Sequence, residues 1–285
     1  MSNQEKIDQL PLMPMQKRPE RLDGLVFLHF TEDTNSELAI RARRVHASGY
    51  KSMGFVSNSA IDIDGSLSDD IDHARGETVE YYLGVEPAED DTTETFDRAT
   101  LRKISIPSGG SLGYLPAYSL CKNSIYNHEL AALQSIEQPD KFVKEIGALA
   151  RSPEAGPMAT FEVLRDALHD SLGNGELWFF SIVTSTYASL ADNFGKKAIR
   201  QIGEPVALND PRVSDRVELV PAVVDIDSFL KNILEAAELE SSRSKQHRLL
   251  RSFSFFSEGL TNSELTDELI AAREVINSQY SSGKS

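Results

Sequence analysis

The sequence predicts an α/β protein whose sheet is flanked by helices and followed by a helical C-terminal extension. Three observations carry this. Residues 160–203 read as helix, strand, helix, strand, with turn residues between the elements. Short β-rich runs lie upstream, separated by a helical pattern and polar loops. Beyond Pro221, apolar residues recur at helical spacing almost to the end of the chain.

Residues 1–22 mix proline, methionine and charge without sustained periodicity and read as a mobile arm or a strap across the domain. Residues 24–30 form a strand. Thr34 or Ser36 caps a helix through residues 37–45, placing its arginines near its C-terminal end, where they suit the helix dipole. Residues 78–85 and 98–104 pair as a hairpin around the acidic loop PAEDDTTETFD. Residues 125–136 are helical, and residues 142–150 form another strand. Phe161, Leu164, Leu168 and Leu172 then share one face of an amphipathic helix, with Glu162, Arg165, Asp166 and Asp170 largely elsewhere. Gly173-Asn174-Gly175 ends that helix, and residues 177–183, short, aromatic and β-branched, are a buried strand. Thr184, Ser185 or Thr186 caps the next helix, Gly195 closes it, and residues 198–202 return as a strand. The organisation is an arm (1–22), an α/β domain (23–225) and a helical extension (226–285) whose aromatics cover the main domain or make a dimer contact, covering being favoured because it needs no partner.

Composition narrows the function. With 40% hydrophobic residues in 285, the chain supports a sizeable core. Lys and Arg total 29 against 44 Asp and Glu, and the net charge of −15 disfavours nucleic acid as a partner. The single cysteine, Cys121, supplies neither an internal disulfide nor a thiolate metal set, and reads as a buried thiol in a reducing compartment. No apolar stretch reaches transmembrane length, and the amino end lacks the apolar core of a secretion signal, so a cytoplasmic location is expected. No two of the six histidines stand at metal-ligand spacing. Asp62-Ile63-Asp64-Gly65 opens like a calcium loop but lacks the closing glutamate and reads as a tight turn, so no metal site is expected.

The helix, strand and crossover helix ending in Asn193-Phe194-Gly195 resemble the C-terminal half of the GNAT acyltransferase fold. Upstream, IRARRVHASGY, SDDID, ATLRKI and VKEIGALA follow one another as in acyl-homoserine-lactone synthases and N-acyl amino acid synthases, a resemblance covering roughly residues 36 to 205. The matching residues are Arg41 or Arg43, Asp69 and Asp72, Arg102, and Glu145. One departure is Ala148, where the lactone synthases usually carry an arginine; this favours an amino-acid-acylating relative over a lactone synthase.

The resemblance implies a GNAT-like mixed, twisted sheet and transfer of a fatty acyl group to the amine of a small amino-acid-like acceptor. The donor is a thioester of acyl carrier protein or coenzyme A, with no tightly bound cofactor. The loop from Arg151 through Gly156 to Ala159 lies where GNAT proteins bind pyrophosphate at a helix N-terminus. Glu145, in an apolar strand, orients the amine or takes its proton through water, and Arg102 pairs with it in one cleft. Asp69 and Asp72 hold the ammonium and guide Arg41 or Arg43, and Trp178 borders an acyl channel. Each has a structural alternative: helix-dipole arginines, a solvated acidic turn, a core aromatic, a simple connecting loop. Docking of the acidic carrier protein calls for a basic patch, with Lys196, Lys197, Arg200 and Arg165 as candidates. The rival class is a catalytically inactive GNAT-like module that binds a ligand or partner.

Overall fold

The computed structural model describes residues 25–31, 33–67, 78–87, 95–208, 213 and 217–282, with side chains as far as residue 276. The expected arm, most of the acidic hairpin loop, Asp69 and Asp72 lie outside these residues. Among the described residues the chain carries eight strands and nine α-helices, and its contacts divide it into two compact units.

The first unit comprises Met1–Ser105, Ile146–Ala167 and Asn209–Val217. It holds β1 (Val26–Thr31), α1 (Ser36–Ser52), β2 (Val79–Pro87) and β3 (Thr95–Ser105), with β4 (Val143–Arg151) from Ile146 onward and α5 (Ala159–Ser171) as far as Ala167. β1 and β3 flank β2, both antiparallel to it, and β4 follows β3 in strand order. From Ala99 to Ile104 β3 is buried on both faces, as a strand covered on each side must be. Opposite Gly84 and Val85 the register skips Arg98, a bulge that interrupts the two-residue alternation. Arg98 therefore reaches Glu86, at 2.6 Å, over the ring of Phe96, while Arg102 is buried.

Helix α1 is longer than its sequence signal and starts differently. Asn35 caps it, accepting the Leu38 amide at 3.0 Å, whereas Thr34 is tied into a turn with Thr31. Because the helix continues to Ser52, Arg41, Arg43 and Arg44 stand far from its last turn. The dipole acts only within that turn, so it does not account for these arginines. Helix α5 also departs from expectation: Glu162 and Arg165, assigned to a polar face, are 4% and 1% exposed. Opposite charges one helical turn apart are tolerable in an interior where either alone is costly.

The second unit comprises Ile106–Glu145, Leu168–Leu208 and Glu218–Ser285. Its helices are α2 (Pro116–Cys121), α3 (Asn127–Gln134), α4 (Pro139–Phe142), α6 (Thr184–Phe194), α7 (Phe229–Leu239), α8 (Arg243–Ser257) and α9 (Asp267–Ser282). Its strands are the start of β4, then β5 (Leu177–Val183), β6 (Arg200–Gln201), β7 (Val206–Ala207) and β8 (Glu218–Asp225). β8 pairs antiparallel with β5, β6 and β7. This strand is hidden in the sequence by Pro221, which lacks a ladder donor and reads as a break. Its carbonyl still accepts the Ile202 amide at 3.0 Å. The strand expected over residues 198–202 shrinks to two residues, because the amides of Ala198 and Ile199 turn back onto the Gly195 carbonyl.

The aromatics of the extension pack inward. Phe253 and Phe256 are buried, and the Phe256 ring meets Phe194 and Phe229 edge-on, each at 5.3 Å. Edge-to-face contact suits the aromatic quadrupole and fixes α8 against α6 and α7.

Gly195, which ends α6, has φ +87°, and a Cβ there would stand 2.5 Å from the Ala236 Cβ. A side chain would therefore be strained by its own backbone and blocked by a helix. Gly195→Ala should lower stability by about 2 kcal/mol or more. Urea unfolding checks this as a lower midpoint with an unchanged slope; a midpoint equal to the wild type would contradict the packing described.

Candidate functional site

In the first unit, Ala42, Arg43 and His46 from α1, Tyr81 from β2, Thr100 and Arg102 from β3 and Ala148 from β4 line one cleft. About 170 Å³ not filled by atoms lies among these residues, counting space open to solvent, and it has no interstice wide enough for a water molecule. Sequence spacing explains the convergence. Arg43, His46 and Tyr50 follow one another at i, i+3 and i+7 and so share a helix face. Thr100 and Arg102, two apart, share a face of β3, and Tyr81 is the cross-strand partner of Arg102.

The groups are chemically varied. Arg43 and Arg102 are 4% and 8% exposed, and Arg43 Nη1 donates to Tyr81 Oη over a long 3.4 Å. Arg102 also lies against the β4 backbone: a Cβ on Gly147 would stand 3.8 Å from its Nη2. His46 meets the Tyr50 ring edge-on at 4.1 Å. Burial raises the Tyr50 phenol above its usual range, while the charge of Arg102 pulls the opposite way. Thr100 is 1% exposed, and its Oγ1 has no hydrogen-bond partner among the described residues. Ala148 has φ +48°, a left-handed conformation unusual for an L residue inside a strand, and it lies on the cleft wall.

None of the other expected residues is among those lining this cleft. Arg41 makes a bidentate pair with Asp97, at 3.0 and 2.5 Å, and a 2.9 Å bond to Thr95 Oγ1. The hydrogen-bonded carboxylate raises the Arg41 pKa further against the opposing effect of burial. Arg41 therefore clamps α1 to β3, and of the two candidate arginines it is Arg43 that enters the cleft. Glu145, in the second unit, is 4% exposed and accepts the Ala117 amide at 2.7 Å. That amide follows Pro116 at the first turn of α2, where a carboxylate satisfies an orphan donor. Trp178 is 1% exposed and donates to Glu176 at 2.9 Å.

In the 151–159 loop, Arg151 Nη1 is bonded to the Ala155 carbonyl at 2.6 Å, and the buried Ala159 donates its amide to Gly156. Nothing lies within 4 Å of a Cβ built on Gly156, so no neighbouring atom demands glycine there. The suggested basic patch is reduced: Arg165 is buried, Lys197 pairs with Glu235, and Arg200 with Glu129. Among the described residues no three His, Cys, Asp or Glu side chains are grouped to hold a metal ion. Residues 62–66 form a tight turn in which Asp64 Oδ1 accepts the Ser66 amide and hydroxyl. Among the described residues no helix is long and apolar enough to cross a membrane.

His46, Tyr81 and Thr100 did not stand out in the sequence. The helical spacing from Arg43 to His46 was a usable signal. Tyr81 and Thr100 join only through the β2–β3 register.

Comparison with known structures places the architecture. FeeM, an N-acyl amino acid synthase from uncultured soil microbes, superposes with a TM-score of 0.50 at 15% identity, covering 73% of this chain and 96% of that one. MesI, a CoA-dependent acyl-homoserine lactone synthase, gives 0.45 at 13% identity, covering 85% and 100%. An acyl-CoA N-acyltransferase from Pseudomonas aeruginosa gives 0.37 at 10% identity, covering 70% and 99%. No family model matches the sequence, and no curated protein matches it. The chain has a GNAT-like acyltransferase fold, as the resemblance in its sequence implied. At this identity the likeness is one of fold.

Cys121 is fully buried, and burial, with the negative charge of Glu145 second, pushes its thiol from 9.0 up to about 11. A folded-state pKa above the unfolded one favours folding fully below the unfolded value, and that contribution is lost as pH rises through the folded one. Stability should therefore fall between pH 9.0 and about 11, and less steeply in Cys121→Ala. Urea unfolding across that range tests this, and identical slopes in the two proteins would exclude a Cys121 contribution.

Proposed function

We propose that the protein is an N-acyltransferase moving a fatty acyl group from a thioester of coenzyme A or acyl carrier protein to the amine of a small amino-acid-like acceptor. The cleft between α1 and β2–β3 is the observation that carries this reading: two guanidiniums, two hydroxyls and an imidazole converge there, within a GNAT-type fold. FeeM, which shares that fold, is an N-acyl amino acid synthase, and this supports the same class of reaction here.

Acyl transfer needs donors for the tetrahedral oxyanion and a route for the proton leaving the amine. Arg102 is assigned to electrostatic stabilisation of developing negative charge. Glu145 is assigned to the amine proton, taken through water. The nitrogen attacks the thioester carbonyl, the C–S bond breaks, and the thiol leaves with a proton, so no covalent enzyme intermediate is needed. Asp69 and Asp72 remain assigned to the acceptor ammonium, Arg151, Gly156 and Ala159 to the donor's pyrophosphate, and Trp178 to the acyl chain.

One observation favours the second reading, a catalytically inactive GNAT-like binding module: the cleft has no space for a water molecule. Acceptor-dependent release of free thiol from acyl-coenzyme A or acyl carrier protein separates the two. The enzyme reading expects release with amino compounds, reduced about a hundredfold in Glu145→Gln with the fold intact. No release from either donor with any acceptor overturns it and leaves the binding module. Unchanged turnover in Glu145→Gln removes that residue from the chemistry.

A further inference from the structure

We infer that the outer face of α8 is a docking surface for an acidic, amphipathic helix of a partner protein. The inference rests on the second unit alone and does not depend on the acyltransferase reading. In a chain of net charge −15, no acidic residue stands between Ser241 and Ser257, while Arg243, Lys245, Arg248 and Arg251 do. All four are exposed, as is His247. Leu249, Phe253 and Phe256, on the opposite face of the helix, are buried.

Spacing arranges these charges. Arg243, His247 and Arg251 follow at i, i+4 and i+8 and so line up along the helix, with Arg248 beside them, over a rise of about 12 Å. Arg248 lies 3.8 Å from Asp192, whereas Arg243, Lys245 and Arg251 form no ion pair among the described residues. Arg243 and Lys245 also stand in the first turn, which has no acidic residue and no side-chain cap, so their charges oppose the helix dipole. Negative charge arriving from outside relieves that opposition and supplies the missing counter-charge. Leu239, the last residue of α7, is 87% exposed and adds an apolar contact four residues before Arg243. The corner between them is held in place: Gln246 donates its side-chain amide to the Ala237 carbonyl at 3.1 Å, and Glu240 accepts the Ser242 amide at 2.8 Å. The leucine and the cations are therefore presented from a fixed backbone, which lowers the cost of ordering them on binding.

The surface discriminates among anionic partners. Nucleic acid, charged along its whole length, meets the repulsion of the chain's net negative charge, whereas an acidic helix presents its carboxylates along one face only. A helix lying in a bilayer buries its apolar face among acyl chains, and that face of α8 is already packed into the protein's own core. A protein helix with carboxylates four residues apart matches the stripe in pitch and charge, and an apolar edge on the same helix covers Leu239.

Fluorescence anisotropy of a cross-linked helical peptide of about twenty residues, with glutamates four apart along one side and leucines beside them, reads binding to the full chain. The same peptide with glutamine in place of glutamate is the control. The expected result is binding of the glutamate peptide about tenfold or more tighter than the glutamine one, weakening as salt rises. That preference should fall severalfold in Arg243→Glu and in Arg251→Glu. It should persist in Lys51→Glu, which makes the same change of net charge at an exposed residue of α1. Leu239→Ser should weaken both peptides alike. Circular dichroism confirms that the variants fold, and Arg251→Gln is the milder substitution should Arg251→Glu fail to. Binding of neither peptide, equal affinity for the two, an equal loss in Lys51→Glu, or affinity unchanged in all the α7 and α8 variants overturns the inference. So does sedimentation of the chain with phosphatidylglycerol vesicles without any binding of the peptide, which would assign the stripe to a membrane surface.

Discussion

The packing of α1 onto β2 and β3 is the contact on which the first unit depends. Ala39 and Ala42, essentially without exposure, offer only methyl groups to the sheet, so the helix approaches closely. Near its far end Gly49 has no room for a side chain, since a Cβ would stand 2.6 Å from the Arg151 carbonyl oxygen. Small residues set the separation, and the bidentate Arg41–Asp97 pair sets the rotation about the helix axis. With both fixed, Arg43 and His46 have one direction left, into the cleft.

That geometry concentrates positive charge in an interior, which is unfavourable unless hydrogen-bond acceptors and counter-charges are close. The surrounding elements provide polar groups at spacings that follow from secondary structure: every second residue on β3, a directly opposed residue on β2, every third or fourth on α1. The left-handed Ala148 on the cleft wall adds local backbone strain. Strain persists where surrounding packing determines it, and such positions concentrate at ligand sites.

The second unit is built on a different principle. Its centre is aromatic, with Phe194, Phe229 and Phe256 in mutual edge-to-face contact, so the C-terminal helices complete a core. Phe194 sits immediately before Gly195, and the tight turn there depends on a glycine that also admits α7. Glu145 contributes to this unit as well, by receiving an amide at the start of α2. A residue chosen for chemistry on the strength of its apolar strand thus has a structural duty too, and a buried carboxylate must be satisfied whichever role it serves.

Local signals were legible. The alternation of helices and strands, the glycine ending α6, the helical extension and an arginine-bearing first helix all follow from periodicity and punctuation within about ten residues, which act before any distant contact forms. The sequence by itself therefore determined the order and kind of most elements, and its motif order pointed to the GNAT fold. Tertiary structure alone decided which arginine is buried and which is a clamp, that Arg165 lies inside, that residues 218–225 pair as a strand despite Pro221, and that Thr100 and Tyr81 stand beside Arg102. The physical reason is that spacing specifies which residues share a face, whereas what covers that face depends on strand register and helix docking between segments far apart in the chain.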